Sequence, residues 1–250
     1  MLSCSPRDAI EQAGVVLVDL DGCMIASGKP LPGAKDLIEV AGSRFFLVTN
    51  NSSHSALELS EWLNSIGLAI SRSRILTAGE ETLNYVLDEY GQVPIMLLAS
   101  QSIHNRAISI GLRVDEFHPS CVVLMRDTDL TYAKLSLAIK HLSNGVPLIV
   151  SNPDMSHPEA DGRPVPETGS LLSLFQAVLP HIRAKVIGKP NPRIFRRAVI
   201  EFGADVHQTV IIGDNPDTDG KGAETLGSKF FLVGRHRDSR FETLKELLKE

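Results

Sequence analysis

Four stretches of this sequence set polar residues directly behind apolar runs, in combinations that could do chemistry. In V-V-L-V-D-L-D-G, Asp19, Asp21 and Gly22 follow the run at 15–18. In F-F-L-V-T-N-N-S, Thr49, Asn50, Asn51 and Ser52 follow another. G-K-P at 188–190 follows A-K-V-I, and G-D-N-P-D-T-D-G at 213–220 follows V-I-I. Singly, each has an ordinary structural explanation. Asp-Gly is a turn, Thr-Asn-Asn-Ser a loop or helix cap, Gly-Asp a common strand ending, and Lys189 a surface lysine. Jointly they imply more. Asp19, Asp21, Asp214 and Asp219 would gather four carboxylates at one edge of a sheet, where open α/β proteins bind ligands. Like charges so placed raise one another's pKa or demand a cation. A hard divalent ion suits an all-oxygen donor set, and magnesium also binds substrate phosphate oxygens. Lys189 would add a positive charge for an anionic substrate, and Thr49 a hydroxyl donor.

The alternatives to such a site are poorly supplied. His54, His104, His118 and His157 lie in separate segments, and Cys4, Cys23 and Cys121 are scattered without CxxC spacing. Neither set makes a soft-metal cluster or a disulfide framework.

Positioning these groups requires several strands that end together. The apolar runs at 15–18, 44–49, 94–99, 121–124, 146–150, 209–213 and 229–234 are unbroken rather than alternating. Unbroken runs mark strands covered on both faces, as in parallel sheets. Between them, helical spacing recurs at Leu59, Trp62, Leu63 and Ile66, with Ser55 and Glu58 spaced as a capping box. It recurs at Leu83, Val86, Leu87 and Tyr90; at Leu135, Ala138, Ile139 and Leu142; and at Leu171, Leu174, Phe175 and Val178. Asn191 and Pro192 read as the cap and first residue of another helix, which turns Ile194, Phe195, Ala198 and Phe202 inward. The alternation predicts a doubly wound α/β protein. The polar connection at 151–170 is too long to expect only a structural role.

The totals narrow the partners. The 250 residues are 43% hydrophobic and 22% charged, with a net charge of −5, and so lack the basic footprint of a nucleic-acid binder. No segment approaches ~18 continuous apolar residues, so no membrane span is expected. The first residues do not read as a signal peptide. With the scattered cysteines, this points to a reduced, cytoplasmic setting.

In their joint order the four stretches resemble the motifs of the haloacid-dehalogenase-like (HAD) phosphatase superfamily. The similarity is to its NagD-like and pyridoxal phosphatase-like branch, subfamily IIA, which carries a large α/β cap. V-D-L-D-G-C matches the first motif, V-T-N-N-S-S the second, G-K-P the third and G-D-N-P-D-T-D the fourth. Between them L-P-G-A (31–34), L-T-A-G-E-E-T (76–82), R-D-T-D-L-T-Y-A-K-L (126–135), S-N-P-D (151–154) and E-T-G-S-L (167–171) are similar to that branch as well. The resemblance implies a Rossmann-like core with a parallel sheet, formed by 1–79 and 180–250, and an inserted α/β cap of C2 type over 80–179.

It also implies roles. Asp19 matches the nucleophile, Asp21 the general acid/base, and Lys189 the lysine that steadies nucleophile and phosphoryl group. Thr49 and Asn50 match the second-motif phosphate site, with Asn51 beside them. Asp19, the backbone carbonyl of Asp21 and Asp214 would bind Mg²⁺, with Asp219 supporting. Asn152 and Asp154 are candidates for substrate contact from the cap, with 157–168 behind them. The chemistry implied is hydrolysis of a small phosphorylated metabolite through an aspartyl-phosphate. Phosphotransfer or mutase chemistry through the same intermediate, and binding without turnover, stand as alternatives. A homodimer through the cap is a further arrangement known in the family. The chain departs from the branch at Asn215, where Arg is frequent, at Gly220 and Cys23, and in P-E-T-G-S, which carries Glu167 where the branch usually has Gly.

Overall fold

All seven unbroken apolar runs form strands, but in two separate sheets. The computed structural model describes residues 5–158 and 163–250. It divides into two compact units: Met1–Thr49, Glu58–Leu76 and Lys189–Glu250 form the first, and Asn50–Leu57 with Thr77–Gly188 the second.

The sheet of the first unit has the order Lys229–Leu232, Thr209–Gly213, Val15–Val18, Phe45–Thr49, Ile75–Thr77. Its three central strands are buried at every position, so neither face has room for the polar alternation of a half-exposed strand. Val15–Val18 lies between two parallel neighbours, with Val18 beside Ile212 on one side and Leu47 on the other. The helix Pro192–Phe202 starts as its sequence predicts: the Asn191 side chain accepts from the Arg193 N–H, and Pro192 stands at the first turn. Ile194, Phe195 and Ala198 are buried.

The second unit is a parallel sheet in the order Ala184–Val186, Leu148–Val150, Cys121–Leu124, Pro94–Leu98, Arg113–Val114. Alternate residues of each strand feed opposite cores. Ile95, Leu97, Cys121, Val123 and Ile149 pack with Leu83 and Val86 of the helix Ala78–Tyr90. Met96, Leu98, Val122, Leu124, Leu148 and Val150 pack with Ala138, Leu142 and Phe175 from two other helices, Tyr132–Ser143 and Thr168–Val178. A strand covered this way must be apolar at consecutive positions, which is why the runs are unbroken.

The structure departs from the sequence expectations in places. The strand Ala184–Val186 pairs with Leu148–Val150 and so belongs to the second unit, as do residues 50–57; the expected insert at 80–179 had left both in the core. The connection at 151–170 holds an antiparallel hairpin, Ser156–Pro158 with Pro164–Pro166. Its residues 159–162, part of the expected substrate-contact stretch, lie outside the described residues, as do Cys4 and the side chain of Phe202. Trp62, Leu174 and Val178 are exposed, because the buried face of each helix is narrower than its apolar arc. Among the described residues, no helix is long and apolar enough to cross a membrane.

Candidate active site

In the first unit the site begins where the central strand runs out. The ladder continues for one residue beyond Val18, as the Asp19 N–H donates to Ile212 O at 2.9 Å. Asp19 is thereby held at 7% exposure. The chain then reverses: Leu20 O accepts from the N–H groups of Met24 (2.9 Å) and Ile25 (3.0 Å), and the Gly22 N–H donates to Ile25 O at 2.8 Å. Gly22 has φ +83°, and a Cβ on it would overlap the Asp214 carboxylate. A glycine is required there on both counts. Asp21 lies in this turn and is exposed. The two aspartates therefore do not extend the strand side by side; the turn buries one and leaves the other in solvent.

The fourth motif supplies two carboxylates by different routes. Asp214 directly follows the strand Thr209–Gly213. Asp219 sits in the single wide helical turn Pro216–Gly220 and is almost wholly buried. Asn215 fixes that turn from both ends: its side chain accepts from the Asp217 N–H at 2.9 Å, and its carbonyl accepts from the Asp219 N–H at 2.9 Å. The departure from the family's Arg at this position thus has a local structural use. The Asp219 carboxylate lies where a Cβ on Gly213 would have to be, so Gly213 gives it room.

Lys189 joins the two motifs. Its ammonium donates to Asp19 Oδ1 and, at 2.8 Å, to Asp219 Oδ1, with only 3% of the side chain exposed. Burial acts to lower its pKa, but Asp19 and Asp219 together hold it well above the usual lysine range. Burial pushes the Asp19 carboxyl well up, and Asp219 and Asp214 add to this against the pull of Lys189. Burial, and then Asp219, push Asp214 up to about 6. One positive charge does not balance three carboxylates at this depth, so the site stands short of positive charge.

Asp19, Asp214 and Asp219 each offer an oxygen within 4.8 Å of the others. A carboxylate donor set fits a hard divalent cation. The nearby thiol does not compete as a ligand. Cys23 is buried, with its Sγ 3.9 Å from Ile212 O, and burial together with the three carboxylates raises its pKa, keeping it a neutral thiol.

Thr49 ends its strand, is 1% exposed, and is the last residue of the first unit before the chain enters the second. The other predicted residues belong to the second unit. The Asn50 amide donates to Asp154 Oδ1 at 3.2 Å. Asn51 forms an Asx turn, its Oδ1 accepting from the N–H groups of Ser53 (3.1 Å) and His54 (3.0 Å). Asn152 is wholly buried. Its amide reaches Asn50 O at 2.9 Å, Ser52 Oγ and Ser151 Oγ at 3.2 Å and Thr168 Oγ1 at 3.3 Å, while its Oδ1 accepts from the Asp154 N–H at 3.1 Å. Both N–H groups of this amide thus face acceptors within the second unit.

Two features were missed by sequence reasoning. The hub of Ser52, Ser151 and Thr168 around Asn152 joins positions up to 116 residues apart, and only the Ser-Asn following a buried strand hints at it. Glu167, noted as a departure, pairs with His157 Nδ1 at 2.7 Å and lies 3.6 Å from Arg126 Nε. Burial raises its pKa, opposed by Arg126 and His157.

The chain matches known proteins along most of its length. A family model described as haloacid dehalogenase-like hydrolase matches residues 16–113, and a HAD-hydrolase-like model matches 186–247. The chain is 30% identical over 220 residues to a dihydroxyacetone phosphatase of Corynebacterium glutamicum (strain R), covering 87% of this chain and 79% of that protein. It is 29% identical over 214 residues to an acid sugar phosphatase of Staphylococcus aureus (strain USA300), covering 84% and 82%. The crystal structure of a 4-nitrophenylphosphatase from Thermotoga maritima superposes with a TM-score of 0.88 at 28% identity, covering 97% of this chain and 98% of that one.

Proposed function

The chain belongs to the haloacid-dehalogenase-like hydrolases, in their NagD-like phosphatase branch with an α/β cap, and from that premise we propose that it hydrolyses small hydroxylated phosphate monoesters, triose or sugar phosphates among them. It is a phosphomonoester hydrolase of the HAD type. The observation that carries the mechanism is the buried Asp19–Lys189–Asp219 arrangement with Asp214 beside it.

Asp19, Asp214 and the backbone carbonyl of Asp21 would hold Mg²⁺, with Asp219 in support. Bound there, the ion would offset the negative charge that nucleophile and phosphate bring together. Lys189 pulls the Asp19 pKa down against the larger upward push of burial and fixes the direction of its carboxylate. Asp19 Oδ attacks phosphorus in line, and the bond from phosphorus to the ester oxygen breaks. Asp21, at the exposed turn, gives its proton to the departing alkoxide. It then takes a proton from the water that attacks the aspartyl-phosphate, releasing inorganic phosphate and restoring Asp19. Thr49 and Lys189 hold the other phosphoryl oxygens, with Asn50 assisting.

The choice of ester rests with the leaving group. The two curated relatives are named for dihydroxyacetone and sugar esters. Phosphate release should be measured with Mg²⁺ on dihydroxyacetone phosphate, glycerol phosphate, hexose phosphates, pyridoxal phosphate, nucleoside monophosphates and 4-nitrophenyl phosphate. The highest kcat/KM is expected on the small hydroxylated esters. Preference for an aromatic or nucleotide ester would overturn the substrate class, and silence with every ester would overturn hydrolysis itself.

The metal assignment has its own signature in stability. The folded Asp19 and Asp214 carboxyls titrate above their unfolded values. As pH rises from the usual carboxylate range through about 6, the unfolded chain gives up these protons first. Metal-free protein therefore loses stability across that window. A bound cation competes with the same protons. The rise in Tm on replacing EDTA with Mg²⁺ should be small near pH 5 and larger at pH 7.5. A rise that does not depend on pH counts against these carboxylates as ligands.

A further inference from the structure

We propose that Asn152 is a positioning residue that sets Thr49 and Lys189 in register from within the second unit. The inference rests on the reading of those two residues as the holders of the phosphoryl group.

Thr49 and Lys189 belong to the first unit, and each is covalently joined to a residue of the second, Asn50 and Gly188. The backbone on the far side of each bond is held by one short segment, 151–154, which follows the strand Leu148–Val150. Asn152 Nδ2 donates to the Asn50 carbonyl at 2.9 Å, and that carbonyl is one residue from Thr49. The Asn50 amide in turn donates to Asp154, whose own N–H is held by Asn152 Oδ1. One residue before Asn152, the Ser151 carbonyl accepts from the Gly188 N–H at 2.7 Å, next to Lys189. A Cβ on Gly188 would strike both Asn50 Oδ1 and Ser151 O, so the three chain segments meet without slack.

The surroundings make Asn152 the pivot of this arrangement. Ser52, Ser151 and Thr168 hydroxyls surround its amide, all three nearly or wholly buried. The orientation of the amide is therefore dictated: its nitrogen faces four oxygen acceptors, and its oxygen faces the Asp154 N–H. A carboxylate in the same volume would set a negative oxygen against the Asn50 carbonyl and release that segment. A buried polar network half satisfied in this way is worse than none.

The test separates positioning from leaving-group contact. Asn152→Asp should lower kcat by about 10- to 100-fold, as expected for a small misplacement remote from the reacting atoms. The loss should be equal across esters with different leaving groups, and inorganic phosphate should inhibit less strongly. Thr168→Val, which keeps the volume and removes one acceptor, should show a smaller loss of the same kind. Ser60→Ala removes a buried hydroxyl that donates to Ile70 O at 2.7 Å elsewhere in the chain; it should lose stability with kcat kept. If Asn152→Asp fails to fold, the Thr168→Val result decides.

A loss confined to KM and varying with the leaving group would overturn the proposal in favour of direct substrate contact. Unchanged kcat and phosphate inhibition in folded Asn152→Asp or Thr168→Val would overturn it outright. An inactive wild-type protein would instead count against the hydrolytic reading itself.

Discussion

Replacing Asp19 with asparagine is expected to reduce Mg²⁺-dependent phosphate release by about 10⁴-fold or more, the scale seen when a covalent nucleophile is removed. The amide has the shape of the carboxylate but no anionic oxygen to attack phosphorus. The same change should leave the fold intact. Asp19 is buried beside two further carboxylates, and burial is the first cause of its raised pKa. Asparagine removes one unfavourable charge and leaves Lys189 paired with Asp219. In EDTA, the melting temperature of the variant should equal or exceed that of the parent. Turnover close to the parent's in a folded Asp19→Asn protein would remove Asp19 from the nucleophile's role.

The second large effect is on stability. Lys189→Met leaves Asp19, Asp214 and Asp219 gathered without the ammonium that bridges two of them. Removing one partner from a buried ion pair costs about 3–5 kcal/mol, mostly from the stranded charge. The urea midpoint at pH 7.5 should fall accordingly, and phosphate release should be lost with it. The sign with pH is fixed by the same charges. Without Lys189 the carboxyls bind protons more tightly in the folded state, so acidification relieves the repulsion. The gap between variant and parent should narrow towards pH 5. A variant as stable as the parent at pH 7.5 would mean that Lys189 is not the charge that balances this site.

The pKa pattern explains why these two substitutions act in opposite directions. Asp19, Asp214 and Asp219 outnumber the one ammonium of Lys189 in the first unit, an arrangement that lowers stability and that a divalent cation would offset. Asp19→Asn relieves that imbalance and Lys189→Met worsens it. Activity is expected to fall in both, since the proposed reaction uses each group directly.

Much of this was legible in the chain. Strand positions were readable because a sheet covered on both faces demands apolar residues in succession, as at Cys121–Leu124 and Thr209–Gly213. The joint order of D-L-D-G, T-N-N-S, G-K-P and G-D-N-P-D-T-D carried the family, since each places a polar residue where a parallel strand ends. The division of the strands between two sheets was not legible. Val15–Val18 and Cys121–Leu124 are alike as apolar runs, and what separates them is pairing between residues far apart in sequence. Ala184–Val186 carries too little apolar character to announce which sheet it joins.

Residue types and their order determined the chemistry available: carboxylates, one lysine and a hydroxyl at strand ends, with no sulfur or imidazole cluster to rival them. The tertiary structure decided which of these groups are engaged and how. It buried Asp19 and turned Asp21 out to solvent, although the two stand two residues apart. It also enclosed Asn152 in a hub of hydroxyls from Ser52, Ser151 and Thr168. The physical reason is the same in each case. A side chain's type is fixed by its codon, but its burial, its partners and the proton affinity that follows depend on neighbours that only the folded chain brings near.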